Sequence, residues 1–196
     1  VSDYESDGSG TVVERYNKGA DAIQALKQGK IDCVVIDEQP AIKFVEQNTG
    51  IRILDEEFTL EDYAFVVAKS NTELLDKVNS ALEKLEADGT IADIQKNYIG
   101  TEDEIGKFPY ESKDVSHENG TLTVGTNAEF PPYESYEDGQ IVGIDMDIMR
   151  AVSDELGMEL KIEDMAFDSI IPAISTGKVD IGAAGFTVTE ERKKNV

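Results

Sequence analysis

Cysteine, histidine, proline and basic residues are all scarce in this 196-residue chain. Its one cysteine, Cys33, excludes an intrachain disulfide and a thiolate metal cluster. Cys33 lies in the apolar run "KIDCVVID", where it is expected to be a small buried hydrophobe. The one histidine, His117, stands in a polar stretch without a second His or Cys to share a metal, so neither metal nor cofactor is expected. No apolar run approaches the roughly 18 to 20 residues of a membrane-spanning helix. No signal peptide precedes Val1, so any targeting segment is expected to have been removed or to lie outside this stretch. Lys and Arg number 18 against 41 Asp and Glu, a net charge of −23. Such a surface repels nucleic acid and anionic headgroups, and no polynucleotide partner is expected. The acidic clusters "TEDE" and "DMD" lack the spacing of a calcium loop and read as a solvated face.

What is present is an ordinary globular composition, 40% hydrophobic and 30% charged, enough for one domain or two small lobes. "TVVERY" reads as a short strand after a polar opening. "GADAIQALKQG" has helical spacing and a glycine to close it, and "KIDCVVID" is the length of a buried parallel strand. "QPAIKFVEQN" reads as a helix with Pro40 in its first turn, and "IRILDEEF" and "YAFVVAKS" as strands. Two helices follow in residues 71–100, the first capped by Asn71 and broken at "ADGT". Residues 101–120 lose all periodicity and read as a linker.

Beyond the linker the alternation restarts. "TLTVGT" is a strand, "DMDIMRAVSDELG" an amphipathic helix closed by Gly157, and "MELKIEDM" a strand. "FDSIIPAISTG" is a helix closed by Gly177, and "KVDIGAAGF" a strand. In "TVTEERKKNV", Thr187 stands three residues before Glu190, the spacing of a capping box. Alternating strands and helices predict α/β layers with largely parallel sheets.

One pattern occurs twice. "IQALKQGKID" at 23–32 and "IPAISTGKVD" at 171–180 match at a constant offset: Ile23/Ile171, Ala25/Ala173, Leu26/Ile174, Gly29/Gly177, Lys30/Lys178, Ile31/Val179 and Asp32/Asp180. Each copy predicts a helix, a glycine cap and a buried strand. Two similarly built α/β lobes bind small molecules between the carboxyl ends of their strands.

"GTLTVGTNAEFPPYE", "IVGIDMDIMRAVSDELGM", "FDSIIPAISTGKVDIGAAGFTVTEERKKNV" and "GADAIQALKQGKIDCVVIDEQPA" resemble the amino-acid-binding family of extracytoplasmic solute-binding proteins, the receptors of ABC importers. "NTELLDKVNSALEKLEADGTIADIQKNYIG" resembles that family's closing helices. The resemblance implies two Rossmann-like lobes of the periplasmic binding protein type II fold, here permuted and incomplete. It implies partial lobe 2 with a return hinge strand at 1–68, closing helices at 69–100, a linker at 101–119, and the first part of lobe 1 at 120–196. Family members run in the opposite order, and the first part of lobe 2 with its ligand loop is missing. A circular permutant, a cut from a tandem array, and a piece completed by another chain each account for that order.

The same resemblance implies a site for a free polar amino acid, delivered to an ABC permease. Arg192 would hold the carboxylate through its guanidinium fork. Thr187 and the backbone around Ala184 and Gly185 would add hydrogen bonds, and Asp37 would accept from the ammonium. Phe130 and Phe167 would wall the ligand's aliphatic part, and Asn127 would touch its side chain. Without the resemblance, "TVTEERKK" reads equally as a capped, solvated helix, Asp37 as the cap of the next helix, and the two phenylalanines as core or rim aromatics. Asn127 disfavours a cationic ligand, while Glu129 and Glu134 leave that choice open. The implied protein is not an enzyme; a dehydratase on the same fold and a sensory module are the alternatives. No residue stands out as an acid/base group aimed at a reacting bond.

Overall fold

A computed structural model describes residues 1–56 and 58–196, in two compact units, Val1–Leu60 and Glu61–Val196.

The first unit holds a 3-10 turn at Ser2–Glu5 and two helices, α1 (Gly19–Lys27) and α2 (Glu38–Gln47). Helix α1 buries Ala22, Ile23 and Ala25, and Pro40 is buried in the first turn of α2. Between the helices, Gly19 fits against the ring of Phe44 and the end of Ile36; a Cβ there would lie 2.7 Å from the ring. The strands expected at 11–16, 30–37 and 51–58 are absent among the described residues of this unit. Glu57, within the last of them, lies outside the described residues. A strand needs a neighbour to take its N–H and C=O groups, and no described segment here pairs with another. Cys33 is consequently exposed, not buried. Val35, Leu54 and Leu60 are exposed at 48%, 60% and 87%.

The second unit carries the sheet. Strands β1 (Tyr63–Val67), β2 (Thr121–Thr126), β6 (Glu159–Asp164) and β7 (Ile181–Thr187) lie in the order β1-β7-β2-β6. β2 runs parallel to β6 and β7, while β1 joins the edge antiparallel to β7. Helices α3 (Thr72–Ala87), α4 (Thr90–Ile99), α5 (Ile144–Leu156) and α6 (Phe167–Ser175) complete the layers. A small antiparallel sheet, β3 (Glu129–Phe130), β4 (Glu134–Glu137) and β5 (Gln140–Val142), was not anticipated from sequence. The mixed α/β class is as expected.

Alternate residues of β1 and β7 serve opposite faces of the sheet. Val67, Ile181 and Ala183 join a core with Leu85, Leu122, Val124, Met146, Met149 and Val152. Val66, Ala184 and Phe186 join the other, with Ile170, Ile174 and Val179. Asn71 caps α3 as predicted, its side chain accepting from the Leu74 N–H at 3.2 Å. Gly157 closes α5 at φ 64, a conformation that costs glycine little.

Helix α5 departs from its amphipathic pattern: Ile144 to Met149 are all buried, acids included. Its polar side is covered, and the covering segments partner its carboxylates. Tyr98 of α4 donates to Asp147 at 2.8 Å, and Arg150 also pairs with Asp147. The Tyr110 hydroxyl and the Lys113 N–H each donate to Asp154 at 2.8 Å, and His117 Nε2 lies 3.6 Å from the same carboxylate. Lys84 and Lys113 both pair with Glu155. The 101–119 stretch has no helix or strand, yet it is fastened along α5 by these bonds. Burial with a carboxylate beside the hydroxyl holds both Tyr98 and Tyr110 well above the usual tyrosine range.

Candidate functional site

Because β2, β6 and β7 are parallel, their carboxyl ends open at one edge of the sheet. Seven of the eight residues implied by the resemblance lie on these strands or the segments that follow them: Asn127, Phe130, Phe167, Ala184, Gly185, Thr187 and Arg192. β7 runs on past its pairing with β2 at Gly125↔Gly182, so Ala184–Thr187 extend beyond β2, while Phe186 and Thr187 stay paired with Ala64 and Tyr63 of β1.

Phe130 is half-buried and stacks on Tyr133, centroids 5.9 Å apart. Tyr133 in turn meets Tyr63 of β1 edge-on at 5.1 Å. Gly185, at φ 53, lies under this group; a Cβ there would be 3.1 Å from the Phe130 ring and 3.4 Å from that of Tyr63. Phe167 stacks on Phe186 at 4.8 Å, and the Arg192 guanidinium lies 5.3 Å and 5.4 Å from the two ring centroids. Arg192 Nη1 also donates to the Thr187 carbonyl at 2.8 Å. Two aromatic groups thus flank the end of β7, one bearing a cation.

Some expected details differ. The Thr187–Glu190 capping box does not form, because Thr187 still belongs to β7, where its hydroxyl donates to Glu61 at 2.7 Å. Thr189 caps the turn instead, its hydroxyl accepting from the Arg192 N–H at 3.1 Å before a 3-10 turn at Arg192–Lys194. Asn127 donates through Nδ2 to the Met165 carbonyl at 3.0 Å, tying the ends of β2 and β6 together. Asp37 belongs to the other unit, at the start of α2, and its side chain makes no capping bond.

Behind this edge lies a pair of carboxyls that sequence reasoning missed. Glu134 of β4 and Asp145 of α5 are 1% and 7% exposed. Burial, then the Asp145 charge, pushes Glu134 up to about 10. Burial favours its neutral form, in which it can donate to Asp145 beside it. Burial raises Asp145 to about 6, against the pull of the hydrogen bonds it accepts. One of those bonds is from the Gly185 N–H, at 3.1 Å to Oδ2. The available signal was two acids, Asp145 and Asp147, inside an otherwise apolar helix start, where the helix dipole favours them.

The family model for bacterial extracellular solute-binding proteins, family 3, matches residues 11–101 and 122–196. The chain belongs to this family. The α/β arrangement of the sheet-bearing unit is consistent with the type II solute-binding fold. Among similar proteins is the arginine-binding protein ArgT of Corynebacterium glutamicum, 44% identical over 79 residues, which are 40% of this chain and 26% of that protein. The arginine-binding extracellular protein ArtP of Bacillus subtilis is 40% identical over 75 residues, 38% of this chain and 29% of that protein. Among solved structures, an ancestral arginine-binding protein bound to arginine is 49% identical, with a TM-score of 0.39, over 39% of this chain and 34% of its own. These matches span about a quarter to a third of the relatives' lengths.

No helix among the described residues is long and apolar enough to cross a membrane, and they contain no metal-holding group of His, Cys, Asp or Glu.

Proposed function

We propose that the chain is part of an extracytoplasmic receptor that captures a free amino acid, without catalysis, for an ABC permease. The observation that carries this reading is the gathering of Phe130, Phe167, Gly185, Thr187 and Arg192 at the carboxyl ends of parallel strands, in a member of a solute-binding family. A planar guanidinium beside projecting backbone is suited to a bidentate carboxylate, and the aromatic rings to an aliphatic stem. The arginine-binding relatives favour a cationic amino acid. Glu129, exposed on β3 beside Phe130, is the carboxylate nearest in sequence to that wall. Asn127 does not oppose this ligand, since its amide is engaged with Met165.

In this reading residues 1–68 are part of the second lobe, 69–100 the closing helices, and 120–196 the opening of the first lobe, in permuted or tandem order. Residues 1–196 do not, in this reading, hold the second-lobe segment that would complete both its sheet and its side of the site, and a segment from elsewhere, such as a second copy, would complete them. Isothermal titration with L-arginine and other amino acids tests this. Binding far weaker than micromolar by the monomer, restored when a complementary chain raises the solution mass, is the expected result. Micromolar or tighter binding by the monomer refutes the incomplete site, and no response to any amino acid in the completed assembly refutes capture.

A further inference from the structure

We propose that Asp145, buried beside Glu134, is a positioning residue that fixes the Gly185 turn and so shapes the wall of the ligand site. This rests on the amino-acid-capture reading and deepens it, by naming what shapes the wall of the site.

Neither carboxyl touches the open edge of the sheet; both are buried behind it. Asp145 Oδ2 accepts from the Gly185 N–H at 3.1 Å, at the residue where β7 turns through a positive φ. That bond also consumes the Gly185 donor, leaving it to shape the turn instead of meeting a ligand. Asp145 is itself fixed from two sides. Its N–H donates to the Tyr133 carbonyl at 3.1 Å, while the Ile144 N–H donates to Pro132 at 3.0 Å, joining the start of α5 to the Phe130–Tyr133 turn. On the far side, the buried Glu134 carboxyl interacts with Asp145, and the two can share a hydrogen bond only while one of them holds a proton. Two buried carboxyls side by side are costly, so their retention at this spot calls for a role. The arrangement sets three things at once: the Gly185 backbone, the Phe130–Tyr133 rings lying over it, and the start of α5. A displaced Gly185 would shift Ala184 and Thr187 together, since all three are successive parts of the projecting end of β7.

The test uses the full chain, labelled with ¹⁵N, with amide exchange and L-arginine titration into the tens of millimolar read by NMR. Glu134→Gln retains a neutral donor, so Gly185 protection and arginine affinity are expected within about threefold of the parent. Glu134→Leu and Asp145→Ala remove the donor and the acceptor. In both, the Gly185 amide is expected to exchange more than about tenfold faster and arginine to bind at least about tenfold more weakly, while Val124 in β2 stays protected. If Asp145→Ala does not fold, the two Glu134 variants decide the matter. Unchanged Gly185 exchange in Glu134→Leu, or equal loss in the Gln and Leu variants, overturns the proposal. If the parent chain's resonances ignore arginine, Gly185 exchange alone decides the positioning: the expected order upholds it and any other order overturns it, while capture is decided in the completed assembly.

Discussion

Residues 23–37 and 171–185 begin as near-copies and end differently. Their local halves agree bond for bond. After α1 the Gly29 N–H donates to Leu26 and the Lys30 N–H to Ala25; after α6 the Gly177 N–H donates to Ile174 and the Lys178 N–H to Ala173. Both glycines sit at positive φ, 68 and 70, so both helices end in the same Schellman motif. The strands that should follow part company. Ile181–Thr187 forms β7, clamped between β1 and β2, with Asp180 accepting from the Thr123 N–H at 2.7 Å. Cys33 to Asp37 forms no strand. A cap is satisfied within six residues; a buried strand needs partners from elsewhere in the chain.

The comparison is broken most severely by separating the units. Residues 61–196, which contain both hydrophobic clusters, are expected to melt alone in one cooperative transition, and residues 1–60 alone to show none, by circular dichroism. Next come the matched substitutions. Ile181→Ala removes a fully buried side chain and should cost about 2–5 kcal/mol in denaturant unfolding. Cys33→Ala, at the equivalent position, should change stability by less than about 0.5 kcal/mol.

That contrast also explains what was legible in the sequence. The helices, their caps at Asn71 and Gly157, and β2, β6 and β7 follow from short-range periodicity, and each has its partners present. The strands expected in the first unit were read from the same signals and failed because pairing is not a local property. The buried acids of α5 were misread as a solvated face for a related reason. Nothing within "DMDIMRAVSDELG" reveals that Tyr98, Tyr110 and Lys113 will cover them. Of the site, the aromatic and Arg192 positions came from family resemblance, while the Glu134–Asp145 pair depends on a sheet that sequence did not reveal.

Two smaller effects sharpen the comparison. Glu134 and Asp145 are raised to about 10 and about 6, so the folded chain keeps protons that the unfolded chain releases. Their contribution is fully present below their unfolded values of 4.5 and 3.8, and is lost as pH rises through 6 and then 10. The sheet-bearing unit should therefore lose stability as pH rises from about 6 toward 9. Glu134→Gln should flatten that slope, as read from melting temperature against pH. Gly29→Ala and Gly177→Ala each place a side chain at positive φ with open space around it. Each should cost about 1 kcal/mol, by local helix loss near Gly29 and by global unfolding near Gly177.

The most direct test is native-state amide hydrogen exchange at equivalent positions of the two copies, Val34–Ile36 against Gly182–Ala184. If partner strands decide the outcome, the β7 amides exchange only with unfolding of the sheet-bearing unit, and those of Val34–Ile36 exchange at close to unstructured rates. Equal protection in the two segments would contradict the account, because it would mean that the first copy forms its buried strand without a completing partner.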